Sequence, residues 1–379
     1  MKRYKFSDIA YNITEKKMPV PGDEKLYIGL EHLDSGSLQV SRWGGDIELK
    51  GEKLVMRKGD ILFGRRNTYL RRAAIAPHDG IFSAHGMIYR PKTDVVDPGF
   101  FPFFIASDYF MDEAIRISVG SLSPTVNWGT LKNLEFNLPD IPEQQQYAKL
   151  LAAFERTKEA YKKLISATDD LVKSQFIERF IHGERYPSVR LDAVSTVSSG
   201  LTKNAKRPTF EIKMPYLRVA NVFFDYIDLD DVQTIGVQQG EIEKTMLKKG
   251  DVLFVEGNGS PDQIGRVAVW DGQSEPMLHQ NHIIKARPDE RKVLSKYCMY
   301  FFMTQAGRNQ ILSSAKTTSG LYTLSLSKIA GFKLPLAPLE EQQRFLQLVE
   351  QSDKSKFAAQ QALKEVTDAQ KALMKKIFE

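Results

Sequence analysis

Hydrophobic and polar residues follow two different patterns along this chain, and each pattern occurs twice. The first consists of short β-branched or aromatic runs bounded by Gly, Pro and Asp, which predicts strands joined by turns. These runs are DILFG (60–64), GMIYR (86–90), DVLFV (251–255) and RVAVW (266–270). Each copy also contains a stretch with helical periodicity, at 100–117 and at 293–312. Both copies are therefore predicted to be mixed α/β.

The second pattern is a helical seam that follows Pro142 in one copy and Pro338 in the other. Proline ahead of Glu and Gln is typical of the first turn of a helix. Apolar or small residues then recur at alternating steps of three and four, which predicts a coiled coil. The seam residues are Tyr147, Leu150, Phe154, Thr157, Tyr161, Leu164, Thr168 and Leu171 in the first copy, and Phe345, Val349, Ser352, Lys356, Ala359, Leu363, Val366, Gln370, Leu373 and Ile377 in the second.

Each seam requires a partner surface, and the nearest one is the seam of the other copy. About 40 residues at 1.5 Å per residue form a rod of roughly 60 Å. We expect the two helices to pair antiparallel, which would hold the mixed domains at opposite ends and relate them by a pseudo-two-fold axis. The alternative is that each helix packs on its own mixed domain.

The two copies share landmarks in the same order. Gly59-Asp60 corresponds to Gly250-Asp251, and Asp8 corresponds to Asp192. Phe136, Pro139 and Pro142 fall on Phe332, Pro335 and Pro338 at a constant offset of 196. The sequence thus predicts an α+β fold with an internal repeat. Its predicted parts are two mixed α/β domains at 1–140 and 184–336 and two long helices at 141–183 and 337–379.

The composition limits the class of protein. A chain of 379 residues, 42% of them hydrophobic, is long enough for two or three domains. The single cysteine, Cys298, allows neither an internal disulfide nor a cysteine cluster for zinc. No long apolar window and no secretory signal are recognisable, so we expect a cytoplasmic protein. The net charge of +6 is compatible with an anionic partner.

Two similar domains on a rigid spacer suit a long, repetitive ligand such as duplex DNA, whose half-sites lie about 34 Å apart per helical turn. Arginine can bind guanine, asparagine can bind adenine, and both can hold phosphates. The first copy has a cluster of such residues around its DILFG strand. The candidate DNA contacts there are Arg57, Arg65, Arg66, Asn67, Tyr69, Arg71 and Arg72. A solvated basic face is the alternative interpretation.

The second copy has EGNGSPDQIGR (256–266) in the equivalent place, and this loop is less basic. Its candidate DNA contacts are Asn258, Ser260, Gln263 and Arg266, together with His279, Gln280 and Asn281 from HQNHIIK and Lys316 from SAKTTSGLY. Because the loops differ between the copies, we expect an asymmetric, bipartite target. His279 and His282 lack a third ligand, so we predict no metal site. Hydrogen bonding to a base edge, or simply to backbone, is the preferred interpretation of these side chains.

Catalytic motifs are scarce. The chain has no Pro-Pro dipeptide of the kind found in amine methyltransferases, no Walker sequence, and no Gly-x-Gly-x-x-Gly after a strand. Pro261-Asp262 followed by Glu290-Arg291-Lys292 loosely matches a nuclease pattern whose carboxylates would bind magnesium. The first copy has no equivalent, and RPDERK (287–292) also fits a charged surface turn.

The second copy contains GDVLFVEGNGSPDQIGRVAVW and HQNHIIKARP, and the helix starts contain FNLPDIPEQQ and FKLPLAPLEEQQ. In these residues the chain resembles the specificity (S) subunit of type I restriction–modification systems. The resemblance covers essentially the whole chain. It implies two target-recognition domains separated by paired helices, with neither catalytic residues nor a cofactor in this chain. The first copy departs from it at GRRNTYLRR (64–72).

The resemblance also implies partners in a prokaryotic cytoplasm. Two methylation subunits would use S-adenosylmethionine to methylate adenine N6, and a restriction subunit that needs ATP and Mg could join them. The starts of the long helices would offer a surface to the methylation subunits. The residues concerned are Glu143, Gln144, Gln145, Glu341, Gln342 and Gln343.

Three other functions stay open. The chain could serve a related restriction class whose partner fuses methylation and cleavage, and the neighbouring gene would show this. It could be a metal-dependent nuclease, in which case the isolated chain would cut DNA and Glu290→Ala would abolish cutting. It could be a scaffold without base readout, whose DNA binding would be sensitive to salt but not to sequence.

Overall fold

The computed structural model describes residues 1–45, 47–183, 185–318 and 320–378. The chain divides into two compact units. The first unit comprises Met1–Lys162 and Gln360–Glu379, and the second comprises Lys163–Ala359. The first long helix, Ile141–Phe176, and the second long helix, Leu339–Phe378, therefore each contribute to both units.

The first unit is built around a four-stranded antiparallel sheet. Its strand order is Ala10–Ile13, Met87–Pro91, Ile61–Phe63 and Ala73–Ile75. A second sheet has the order Lys16–Lys17, Lys53–Met56, Gly80–Phe82 and Tyr27–Ile28, with the last pair parallel. Lys2–Lys5 pairs with Glu135–Leu138. The short helices are Phe6–Ile9, Phe101–Ala106, Asp108–Arg116 and Trp128–Leu131, with 3-10 turns at Asp23–Leu26, Leu30–His32 and Thr68–Leu70.

The second unit repeats this plan. Its central antiparallel sheet has the order Ser195–Ser199, Ile283–Pro288, Val252–Val255 and Val267–Val269. A second sheet has the order Gln233–Val237, Ile212–Leu217 and Leu278–His279, and a third has Gly257–Asn258, Leu321–Thr323 and Lys316–Thr318. Ser188–Arg190 pairs with Lys333–Pro335. The helices are Leu191–Val194, Gln239–Thr245, Ser295–Met303, Gln305–Ser314 and Leu326–Ala330, with 3-10 turns at Arg207–Thr209 and Val219–Asn221 and a π turn at Ile177–Ile181.

Each predicted helical stretch is two short helices instead of one. Ser107 ends the first and caps the second, since its hydroxyl accepts a hydrogen bond from the backbone N–H of Phe110 at 3.2 Å. Thr304 does the same in the other unit, where its hydroxyl accepts from the N–H of Gly307 at 3.3 Å. Ser and Thr are favoured at such caps because they satisfy an N–H that has no partner within the helix.

The long helices run antiparallel within each unit. In the first unit, Ala148 and Leu151 lie in one core with Ile377, while Lys158 reaches Gln370 through a 2.9 Å hydrogen bond. In the second unit, Phe176 packs against Phe345 with ring centroids 5.1 Å apart, and Asp169 forms a 2.7 Å ion pair with Lys356. Together with the repeated mixed sheets, this confirms the predicted fold class.

The buried residues of the second long helix match the predicted seam. On the first long helix, the buried residues lie one position after several of the predicted ones. Phe345, Val349 and Ile377 are almost fully buried. Leu150, Leu164 and Leu171, however, are 46–47% exposed, whereas Leu151 and Val172 are buried. The prediction was wrong at those three leucines because neighbouring positions, one residue along the helix, carry apolar side chains too. No helix in the described parts of the chain has the length and hydropathy of a membrane span.

Candidate nucleic-acid interface

The repeated Gly-Asp signature is a turn whose aspartate joins two strands of the central sheet in each unit. Asp60 accepts a hydrogen bond from the N–H of Arg57 at 2.8 Å and binds the Arg90 guanidinium at 2.8 and 3.0 Å. In the second unit, the buried Asp251 binds the N–H of Lys248 at 2.8 Å and the Arg287 guanidinium in the same way. The side chains that define the signature are thus used inside each unit, so the signature itself is structural.

Arg57 lies apart from the other candidates of the first unit. It stands in the turn before the strand Ile61–Phe63, whereas Arg65 and Arg66 follow the end of that strand. Three residues of strand span about 10 Å. Arg57 is exposed, but it belongs to a different edge of the sheet from the remaining candidates.

Residues 64–72 form a tight, ordered segment after the strand. Asn67 and Arg71 both adopt left-handed backbone conformations, with φ of 54° and 48°, on either side of the 3-10 turn Thr68–Leu70. The Thr68 hydroxyl donates to the carbonyl of Arg65 at 2.8 Å, which closes the segment on itself. Asparagine tolerates the left-handed region well, whereas arginine adopts it at a steric cost.

The basic residues of this segment divide into internal and external ones. Arg71 forms ion pairs with Asp108 and Asp112, the first at 2.8 Å. Arg72 donates to the carbonyl of Leu30 at 2.9 Å, and burial lowers the pKa of its guanidinium from the ordinary value. Arg72 is therefore bound inside the first unit, whereas Arg71 is held at its surface by two exposed aspartates. Of the other candidates in this segment, Arg66 and Tyr69 are exposed, and Arg65 and Asn67 are partly buried.

A hairpin at 119–125, which was not predicted from the sequence, lies directly beside this segment. Val119 and Thr125 exchange two backbone hydrogen bonds of 3.1 and 3.0 Å, which close the hairpin. The N–H of Asn67 donates to the carbonyl of Pro124 at 2.8 Å, and the N–H of Val126 donates to that of Arg65 at 3.0 Å. The offset of 196 maps this hairpin onto 315–321, the polar loop already considered in the second copy, so the repeat could have revealed it.

The second unit presents a different loop in the equivalent place. Gly257–Asn258 pairs with Leu321–Thr323, which pairs in turn with Lys316–Thr318, so Asn258 and Lys316 are brought into one sheet. The side chain of Asn258 accepts a hydrogen bond from the N–H of Ser260 at 2.9 Å. Gln263 and Lys316 are exposed, whereas Asn258 and Ser260 are partly buried.

Two arginines hold this loop from inside. Arg308 donates to the carbonyls of Ile264 and Pro261 at 2.5 and 3.0 Å. Arg266 donates to the carbonyl of Val219 at 2.8 Å, and its guanidinium stacks over the ring of Phe223. Arg266 is buried, and this burial lowers its pKa, so its side chain has a structural role instead of the external one expected from the sequence.

His279 is also internal, which agrees with the hydrogen bond to backbone left open by the sequence and not with a contact to a base edge. Its side chain is fully buried, and Nδ1 lies 2.9 Å from the carbonyl oxygen of Ile283. Burial, assisted by the nearby charge of Lys285, lowers the pKa of His279 to about 4, so the imidazole is neutral at pH 7. Gln280 and Asn281 stay partly exposed, while their backbone N–H groups bind the carbonyls of Leu217 and Leu201 at 2.9 Å.

The two halves of the nuclease pattern lie at different ends of a strand. Glu290 stands beside the turn at Gly250, ahead of the strand Val252–Val255, and Asp262 lies in the loop after it. Within the described ranges, no group of three His, Cys, Asp or Glu side chains could hold a metal ion. The residues present therefore do not assemble the metal site of the nuclease interpretation.

The Glu-Gln-Gln helix starts contain one buried glutamine each. Gln144 accepts from the N–H of Asp97 at 2.8 Å and donates to the carbonyls of Val95 and Pro139 at 3.2 and 2.8 Å. Gln342 makes the same three bonds in the second unit, with Leu294, Lys292 and Ala337. Both glutamines tie the helix start to its own unit, which leaves the outer surface to other residues. Those are Glu143, Gln145 and Gln343, which are exposed, and Glu341, which is partly exposed.

Comparison with known sequences agrees with the duplicated architecture. The profile of the family described as "Type I restriction modification DNA specificity domain" matches residues 7–167 and again residues 184–367. The EcoKI specificity subunit of Escherichia coli strain K12 is 25% identical over 327 residues, which cover 80% of this chain and 69% of that protein. A putative MjaX specificity subunit of Methanocaldococcus jannaschii is 28% identical over 188 residues, which cover 49% of this chain and 44% of that relative. The match to the archaeal relative thus spans less than half of its length.

Two solved structures share the fold. The S subunit of a type I restriction–modification system from M. genitalium has a TM-score of 0.56 at 14% identity, covering 100% of this chain and 96% of that one. A chain from a structure concerned with complex assembly and conformational transition of the type I R-M system has a TM-score of 0.61 at 17% identity, with 100% and 97% covered. At such low identities these likenesses establish the fold alone.

Two mixed α/β units of the same plan, each presenting a loop and a hairpin at the same place, define the chain as a duplicated α/β protein. The chain belongs to the family of type I restriction–modification DNA specificity domains, since the family profile matches it twice and over most of its length. The resemblance inferred from the sequence is thereby confirmed.

Proposed function

We propose that this chain reads an asymmetric, bipartite DNA sequence with a spacer of fixed length, and that it directs adenine methylation and restriction by partner subunits. One observation carries the proposal. Two units of the same fold present different side chains at the same place. In the first, Arg66 lies beside the hairpin 119–125, and in the second, Asn258 and Lys316 lie on the two outer strands of one three-stranded sheet. A shared scaffold with different reading loops suits two different half-sites.

The exposed candidates have the chemistry needed for both kinds of DNA contact. Arg66 and Lys316 can neutralise phosphates or bind guanine, and Gln263 can bind adenine through its amide. Arg72 and Arg266 support these loops from inside through bonds to backbone carbonyls, and Arg71 is held at the surface by Asp108 and Asp112. The proposal therefore assigns DNA contact to the exposed set and positioning to the internal arginines.

The long helices supply the remaining parts of the proposal. Their antiparallel pairing in each unit is the element that would set the spacer between half-sites, because a helix has a fixed rise of 1.5 Å per residue. The exposed residues Glu143, Gln145 and Gln343 would face two methylation subunits in the cytoplasm of a prokaryote. S-adenosylmethionine, ATP and Mg would be bound by partner subunits, with no cofactor in this chain.

Mapping methylated adenines by single-molecule sequencing in the host tests the proposal. The host would be compared with the gene intact, with the gene deleted, and with the deletion complemented by the wild-type gene. We expect methylation of one asymmetric, gapped motif to disappear on deletion and to return on complementation. A methylome that is active but unchanged by deletion would contradict the proposal.

A further inference from the structure

The hairpin 119–125 of the first unit holds an apolar side chain almost entirely in solvent. Leu122, near its tip, is 95% exposed, and Val119 at its base is 69% exposed. The segment SVGSLSPT (118–125) contains no charged residue, in contrast to the arginines of the neighbouring segment. Single exposed apolar residues are common on proteins and need no explanation by themselves. Leu122 differs from such residues because it lies on an ordered hairpin beside the candidate DNA contact Arg66.

The backbone of this hairpin is held in a defined position. Two hydrogen bonds between Val119 and Thr125 close it, and Gly120 takes a φ of 116°, which glycine adopts without strain. Hydrogen bonds of 2.8 and 3.0 Å tie it to Asn67 and Arg65. These hydrogen bonds fix the hairpin backbone relative to the segment 64–72 while Leu122 stays exposed.

The exposed cation of the neighbouring segment is bound to the same hairpin. The guanidinium of Arg66 donates to the hydroxyl of Ser123 at 3.4 Å, which places a positive charge one residue from Leu122 along the chain. A cation beside an uncharged apolar tip matches the two components of a DNA groove. The phosphates line the groove edges, and the thymine C5-methyl is the apolar group displayed on the floor of the major groove. That groove is about 12 Å wide and admits a two-stranded ribbon.

We propose that Leu122 contacts the C5-methyl group of a thymine in the half-site read by the first unit. Arg66 then binds a neighbouring DNA phosphate or guanine. This inference rests on the proposed function and adds a specificity-determining residue to it. The equivalent hairpin of the second unit carries a charged residue, Lys316, and its leucine, Leu321, is 47% exposed against 95% for Leu122. The methyl contact is therefore assigned to the first unit.

Removing the methyl group from the DNA provides an atomic test. The chain would be purified with its methylation subunits, and the duplex would carry the site mapped in the methylome. Each thymine of both half-sites, on either strand, would be replaced singly by deoxyuridine, which lacks only the C5-methyl. For the wild type we expect one position at which this replacement weakens binding roughly fourfold, the value of one buried methyl group.

Leu122→Ala should weaken binding to the thymine duplex by a similar factor. The affinity of this variant should then be the same for the thymine duplex and for the duplex with deoxyuridine at that position. Leu26→Ala is the matched control, because Leu26 is an exposed leucine of the same unit at 43% exposure. This control should keep the full sensitivity to deoxyuridine. Retained sensitivity at every position in Leu122→Ala would overturn the inference.

The outcomes separate this inference from the proposed function. The wild-type complex could bind its mapped site specifically with an affinity that no deoxyuridine replacement changes. This result would overturn the role of Leu122 and leave the proposed function intact. A complex that binds all duplexes equally would overturn both. A Leu122→Ala complex that fails to assemble with the methylation subunits, while Leu26→Ala assembles, would show that the tip contacts protein instead of DNA and would also overturn the inference.

Discussion

Asp251 binds Arg287 at two points, with Nε–Oδ1 and Nη2–Oδ2 distances of 2.6 and 2.7 Å, and the carboxylate is fully buried. The same carboxylate accepts the N–H of Lys248 and so closes the Gly-Asp turn. Asp60 and Arg90 form the equivalent pair in the first unit. A signature that occurs twice in the sequence thus corresponds to a repeated ion pair that joins a turn to the neighbouring strand.

Asp251→Ala should destabilise the second unit by about 3 kcal/mol, because it leaves a partly buried guanidinium and a turn N–H without their partner. Hydrogen exchange of the amides of Val252–Val255 in the full chain would measure the loss of protection. Asp230→Ala, at an exposed aspartate of the same unit, is the control and should leave exchange unchanged. Equal protection in both variants would mean that the pair contributes little to stability.

Gln342 and Gln343 offer a matched pair of neighbours. Gln342→Ala removes the three hydrogen bonds of a buried side chain and should cost about 3 kcal/mol of unfolding free energy. Gln343→Ala changes an exposed side chain and should stay within about 0.5 kcal/mol. Urea unfolding of the two variants would compare these values. If Gln343 faces a methylation subunit as proposed, its variant should lower affinity for that subunit without loss of stability.

The buried His279 predicts a loss of stability in acid. Its folded-state pKa of about 4 lies below the ordinary value of 6.5, so the unfolded chain binds the proton more tightly. Stability is therefore fully present above pH 6.5 and falls as the pH drops towards 4, by roughly 3 kcal/mol in total. His279→Asn, whose amide can still donate to the carbonyl of Ile283, should reduce this slope while being less stable at pH 7.5. Unfolding free energies of both proteins between pH 7.5 and 4.5 would check it, and parallel curves would count against the assignment.

Arg65 and Arg66 are expected to serve the first half-site only. Their alanine variants should relax base preference in one half-site and spare the other, which binding to the mapped site and its single-base variants would measure. Uniform weakening across all sequences, with a smaller salt dependence, would instead mark them as phosphate contacts. Because Arg65 is partly buried, its variant also needs a check of folding that Arg66→Ala does not.

Lengthening both long helices should change the spacer and nothing else. Insertion of four helical residues near Ala167 and near Ala362 adds about 6 Å to each helix, which corresponds to about two base pairs. We expect selected DNA sites with both half-sites unchanged and a spacer longer by two. An unaltered spacer would show that the helices do not determine it.

The repeat was the most informative feature that could be predicted from sequence. Its landmarks predicted two copies of one mixed fold, each with a long helix, because turns and helix starts depend on local residues such as Gly59-Asp60 and Pro142. The seam of the first long helix was predicted one position off at Leu150 and Leu171. Adjacent apolar residues satisfy the same periodicity there, and only the packing partner selects between them.

The roles of individual polar side chains depended on tertiary structure. Gln144 and Gln145 are identical in sequence terms, yet one is buried with three hydrogen bonds and the other is exposed. Arg66 and Arg72 likewise differ by which chain segments surround them. The sequence left open whether His279 binds a base edge or backbone, and the structure buries its ring beside the carbonyl of Ile283.

The sequence by itself therefore determined the duplication, the fold class and the family, since these follow from periodicity, spacing and turn chemistry along the chain. Only the tertiary structure decided which residues face outward at the candidate DNA surface and that the hairpin 119–125 lies beside Arg66. That hairpin is more than 50 positions from Arg66. Backbone hydrogen bonds, which are not specific to residue type, join it to the neighbouring Arg65 and Asn67 and so bring Ser123 within reach of the Arg66 guanidinium. A local pattern cannot encode such a contact, because it arises only when the whole unit folds.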